Sequence, residues 1–188
     1  MPKIERMLET MRHQGIPEET IAKFTLPRIK KATPNEIVAF TQEMEALLSK
    51  EQCLCVMDEQ GCNKSNKFSA AFRKFGEKHA DKTLKERIDL MADLETGHKV
   101  NHISLNDDGT LTLTFGTANG EHYDCPCTPV KKLKPYDFPL TYCGCCGAHV
   151  RYTHEFALGV KLRLKEIVSS MANSNGEKAC EFIYEIVE

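Results

Sequence analysis

The spacing of apolar residues changes once along this chain, near Val100, and that change limits the fold more than any motif does. Before it, Ile4, Met7, Leu8 and Met11 recur at the spacing of one helical stripe. Gly15 can close that helix, and Pro17 opens a shorter one carrying Ile21 and Phe24 ahead of Pro27. Thr33, Pro34 and Glu36 form a capping box with proline at the first helical position, followed by a stripe of Ile37, Phe40, Met44, Leu47 and Leu48. Phe68, Ala71, Phe72 and Phe75 mark another helix. Thr83 with Glu86 caps a further one, which carries Leu84, Ile88, Met91 and Leu94 as far as Gly97. Between the third and fourth of these, "CLCVMDEQGC" holds Cys53, Cys55 and Cys62 and reads as a loop.

Beyond Val100 the period is two. Leu111, Leu113 and Phe115 alternate with threonines between "NDDG" and "ANG", so Val100 to Tyr123 is expected to form a three-stranded meander. "CPCTPVKKLKPYDFP" carries four prolines and cannot continue a central strand. A helix is expected to start between Cys143 and Gly147 and to stop at Gly159, and a second hairpin follows, with "NSNG" as its turn and Cys180, Phe182, Tyr184 and Ile186 on one face. This order predicts an α+β fold: N-terminal helices packed on an antiparallel sheet made of the meander and the C-terminal hairpin, with a further helix between the two. Residues 1–97 form the helical part and residues 98–188 the sheet and cysteine-rich part of one continuous domain.

Charge narrows the partners. With 25 Lys and Arg against 27 Asp and Glu, the chain has no global field to draw it to nucleic acid. The basic stretch from Lys64 to Arg87 is broken by Glu77, Asp81 and Glu86 and reads as a solvated helix face. No apolar run reaches the roughly 18 residues that span a bilayer, and "MPKIERMLETMRHQG" is not a signal-peptide core. A soluble, cytoplasmic protein with no membrane partner is the expectation.

Nine cysteines are many for a reducing compartment, where thiols serve as metal ligands, as nucleophiles or as small buried hydrophobes. "YCGCCGAH", Tyr142 to His149, contains the spacing of a zinc knuckle at Cys143 and Cys146, with Gly144 and Gly147 to admit unusual backbone angles and a helix N-terminus to favour thiolate. Cys125 and Cys127 are the expected partner pair, and His149 and Cys145 are the alternative ligands. Cys53, Cys55 and Cys62 form a second cluster whose role is left open. Cys180, inside an alternating strand, reads as packing. A redox dithiol and an iron-sulfur centre also fit the spacing, although no strand precedes the motif as thioredoxin-like chemistry expects.

The segment "YCGCCGAHVRYTHEFALGVKLRLKEIVSSMANSNGEKACEFIYEI" resembles the end of the 4-vinyl-reductase domain family: a cysteine-bearing helix, a glycine at Gly159, a strand, a turn at Gly176, and a last strand with Cys180 and Phe182. Ser169 and Ser170 stand where that pattern carries a cysteine. The cysteine-rich half is also similar to the L-2-amino-thiazoline-4-carboxylic acid hydrolase-like family. The first resemblance implies small-molecule binding, a homodimer, an apolar ligand cavity between helices and sheet, and cysteines that bind zinc or sense redox state. The second implies an enzyme.

Three functions follow. One is a zinc-binding domain that binds or senses a small molecule. Another is a hydrolase using a thiolate with His149 or His122 as base, or a metal-bound water with Asp124 or Glu155 nearby. The third is an interaction protein with packing cysteines.

Overall fold

The computed structural model describes residues 2–25, 32–61, 66–91, 100–127, 129–130, 133 and 138–187. Among them run the helices α1 (Ile4–His13), α2 (Glu18–Ile21), α3 (Pro34–Leu47), α4 (Lys50–Asp58), α5 (Asn66–Lys78) and α6 (Leu84–Leu90). The strands β1 (Val100–Leu105), β2 (Leu111–Asn119) and β3 (His122–Asp124) follow, then a 3-10 turn (Leu140–Cys143), α7 (Gly144–Leu158), β4 (Lys161–Ser169) and β5 (Cys180–Val187). None of these helices is long and apolar enough to cross a membrane. The expected fold class is the one observed.

The sheet is antiparallel in the order β1-β2-β5-β4, with β3 pairing on β2 off that path. The meander and hairpin therefore join through β2 and β5, where Leu113 faces Phe182 and Leu111 faces Tyr184. Ile103, Leu113, Phe182 and Ile167 form one buried row across four strands. Each such side chain stabilises the fold by about 1.5–3 kcal/mol through the apolar surface it removes from water.

Helix α7 lies on that row. It buries residues around much of its circumference, from Gly144 and Cys145 to Ala157 and Leu158, because the sheet covers one side and α4 and α5 the other. Its glycines permit the close approach. A Cβ on Gly144 would stand 2.6 Å from Met57 Cβ, and one on Gly147 would stand 3.1 Å from both Leu164 and Phe182. From the opposite side Gly76 of α5 crosses so close that a Cβ would overlap the Phe156 carbonyl. Gly144 and Gly147 are thus selected by packing and lie in ordinary helix, which corrects the expectation that they supply unusual angles. Gly159 does use its freedom, ending α7 at φ 70° in the left-handed region.

Strand β4 lies at the sheet edge, and two of its amides are capped by carboxylates. Leu162 N–H donates to Glu155 at 3.0 Å and Leu164 N–H to Asp58 at 3.3 Å. Arg151 bridges the two acids, 2.8 Å from Asp58 Oδ1 and 3.0 Å from Glu155 Oε1, and also donates to the Asp58 carbonyl. These side chains are only 10–15% exposed. Burial pushes the Asp58 carboxyl above its ordinary value, against the pull of Arg151 and the Leu164 amide. These two amides are thereby withheld from pairing with another strand.

Helix α4 corrects the loop expected at 53–62. Ser49 and Gln52 form a reciprocal capping box, and Cys53, Leu54, Val56 and Met57 are all buried. The helix is covered by α7 and β4 as well as by other helices, so its apolar residues do not fall on a single stripe. The expected end of α6, Leu94 to Gly97, lies outside the described residues, as does Cys62.

Candidate functional site

Strand β3 extends the meander past the start of β5, and Tyr123 N–H donates to Gly176 O at 2.8 Å, which pins it beside the turn leading into β5. The chain leaving β3 therefore carries Cys125 and Cys127 alongside Ser170, Ala172 and Cys180. Opposite them the 3-10 turn delivers Tyr142 and Cys143, and the first turn of α7 delivers Cys145 and Cys146. All of these line one small enclosed pocket with about 10 Å³ of free space.

Six cysteines meet here, from three parts of the chain. The five from Cys125 to Cys146 are those expected from spacing. Cys180, expected to be packing, is the sixth. It faces Phe115 on β2 and shares the helix-covered side of the sheet with Phe182, so strand alternation already aims it beneath α7. Tyr142 and Ser170 were not anticipated. The eight described cysteines are all thiols rather than disulfides.

Burial decides the chemistry of these thiols. It pushes Cys143 up to about 12, with Cys125 and Cys127 adding to the effect and a hydrogen bond with Ser170 opposing it. Cys180 is driven well above its ordinary value, first by burial and then by Cys143. Cys143 does sit at the N-cap of α7, as expected. A helix terminus contributes only about 0.3–1 kcal/mol, however, less than one tenfold step in ionisation. Desolvation outweighs it.

The Tyr142 ring is 1% exposed, and among the described residues its hydroxyl has no hydrogen-bond partner. Burial raises its pKa, and the charges felt next are those of Cys127, Cys145, Cys146 and Cys143, so the hydroxyl stands among sulfurs. A buried hydroxyl without an acceptor costs about 1–3 kcal/mol.

Other candidates fall elsewhere. His149 is half-buried on α7 and does not line the pocket, being about 4.5 Å further along the axis than Cys146. His122 is exposed on β3, and His154 is a core residue with Nδ1 2.8 Å from Val150 O. Glu155 belongs to the Arg151 bridge, and Asp124 is exposed and accepts from Asn119. Cys53 and Cys55, two apart on α4, lie on different sides of the helix and line different openings. Burial pushes Cys53 up to about 11, and its Sγ donates to Met44 O.

Cys53 opens on a groove of about 700 Å³. Leu48, Leu54, Leu140, Ile167, Val168 and Ile183 supply its apolar surface, and Glu45, Lys50, Thr141, Glu166 and Glu181 its polar groups. Strand β4 shifts register against β5 between Leu164 and Glu166 and again between Ile167 and Ser169, and this irregularity turns Val168 outward, 45% exposed. The 3-10 turn serves both sites: Leu140 and Thr141 face the groove, Tyr142 and Cys143 the thiol pocket.

Among the described residues no three His, Cys, Asp or Glu side chains already stand where they would hold one metal ion.

No known protein family and no curated protein matches this chain. Among solved structures, an H-NOX protein from S. oneidensis in the Fe(II)NO ligation state aligns at 13% identity over 97% of this chain and 96% of that one, with a TM-score of 0.34. A variant H-NOX protein from S. oneidensis in the Fe(II) ligation state aligns at 12% identity over 97% and 93%, with a TM-score of 0.33. Similarity this low bears on neither ligand nor function.

Proposed function

We propose that this chain is a cytoplasmic domain that binds or senses a small molecule and carries a zinc ion among its cysteines. The observation behind the reading is the convergence of six thiols on a pocket of about 10 Å³ that also holds the Tyr142 hydroxyl, without a hydrogen-bond partner among the described residues. Zinc takes four soft or borderline donors at about 2.0–2.3 Å, and Cys125, Cys127, Cys143 and Cys146 are the proposed set, with Cys145 and Cys180 adjoining. Binding requires these side chains to turn from their present positions toward the pocket centre. It releases their protons, and the resulting thiolates give the Tyr142 hydroxyl an acceptor, as outer-shell donors commonly find. The groove across the 3-10 turn falls within the size range of small-molecule sites.

A thiolate nucleophile is less well supported. Cys143 and Cys180 are buried, and their raised pKa values oppose the ionisation that attack requires.

Elemental analysis of protein purified without added metal tests the zinc. Near-stoichiometric zinc, with thiols that become alkylatable only after chelation, is the expected outcome. Absence of zinc overturns it.

A further inference from the structure

We infer that the groove beside Cys53 is a binding site for an amphipathic organic cation, a ligand with an apolar body and one ammonium-type head. This rests on the reading of the chain as a small-molecule-binding domain and names its ligand class.

Shape and charge carry the inference. The apolar part comes from Leu48 and Leu54 on the helical side, Leu140 on the turn, and Ile167, Val168 and Ile183 on the sheet, enough to cover an alkyl chain or a ring. Around it stand three carboxylates, Glu45, Glu166 and Glu181, against one ammonium, Lys50. Lys50 is already committed to Glu166 at 2.9 Å. Glu45 accepts a hydroxyl, from Thr141, and Glu181 a long bond of 3.4 Å from Thr114. Among the described residues no cation lies within ion-pair distance of either.

Among the described lining residues, three acids less one base leave two net negative charges beside a low-dielectric surface, which concentrates cations and rejects anions. A carboxylate ligand would meet two like charges with only a spent lysine to answer it. A neutral ligand would leave Glu45 and Glu181 without use. Thr141 carries the link inward: it holds Glu45 and is followed directly by Tyr142 and Cys143, so a head group drawing on Glu45 pulls on the turn that lines the thiol pocket.

Isothermal titration with octylammonium chloride and sodium octanoate, a pair of equal chain length and opposite charge, tests this on the full chain. Octylammonium is expected to bind and octanoate not, and methyl NMR shifts should centre on Leu48, Ile167 and Ile183. Glu45→Gln with Glu181→Gln keeps the shape and the Thr141 acceptor, and is expected to weaken octylammonium about tenfold with an unchanged thermal melt. Equal or tighter binding of octanoate overturns the ligand class while leaving a binding domain in place. Binding that the double variant does not weaken overturns the site. Failure of both probes at millimolar concentration removes the groove from the functional reading altogether, whereas the zinc content, measured separately, decides the thiol centre.

Discussion

Helix α7 carries two buried polar sets, and they differ in completeness. At its middle, Arg151 joins Asp58 and Glu155, and the same acids cap two amides of β4, so charges and edge donors are answered within the chain. At its start, six thiols and a phenol surround a pocket of about 10 Å³, and the phenol hydroxyl has no acceptor among the described residues. A closed network reads as scaffold. An open one, held by the same helix at comparable burial, reads as a place prepared for something else.

The sharpest way to break that contrast is to remove the thiols. Under the zinc reading, Cys143→Ala with Cys146→Ala costs on the order of 10 kcal/mol, as much as a typical domain's whole stability, so the variant should be unfolded by circular dichroism. A loss of about 2–4 kcal/mol in urea denaturation would mean packing alone.

Arg151→Met is next, with an expected loss of about 3–5 kcal/mol at neutral pH, because Asp58 stays buried without its cation and Glu155 keeps only Lys161, 3.9 Å away. The folded Asp58 carboxyl already holds its proton more tightly than the unfolded one, since burial raises it. Its contribution is therefore fully present below the ordinary carboxylate range near pH 4 and is lost as pH rises through the raised value. The variant, lacking the opposing cation, should show that loss more steeply, so urea midpoints of the two proteins should converge toward pH 4.

Smaller effects test the approach of α7 to its neighbours. Gly144→Ala meets the Cβ of Met57, which cannot swing away, and should cost about 1–3 kcal/mol. Gly147→Ala meets the ends of Leu164 and Phe182, which can shift, and should cost less. Equal thermal shifts for the two would refute the packing explanation.

Tyr142→Phe separates the two sets most finely. If zinc is bound, loss of the hydroxyl should destabilise the protein as purified by about 1–3 kcal/mol, because its donor bond to a thiolate goes with it. A neutral or stabilising shift of the urea midpoint would mean that the hydroxyl has no metal-dependent partner.

Much of this architecture follows from local patterns. The stripe of α1, the capping boxes at Thr33 and Thr83, the alternation of β2 and β5 and the glycine stop at Gly159 are written in neighbouring residues, and so is the clustering of Cys143, Cys145 and Cys146. Each depends on a period or a cap that spans a few positions, which a sequence displays directly. What the fold added comes from contacts between residues far apart. Arg151 reaches back 93 positions to Asp58, and Cys180 joins cysteines from two earlier segments. Helix α4 buries its residues among α7, β4 and other helices, the two motif glycines answer to Met57 and Phe182, and the acidic groove exists only because a bulged edge strand stands beside α3 and α4. Local periodicity determines which face of an element is apolar, but only packing decides what meets that face and whether the polar groups caught between are satisfied.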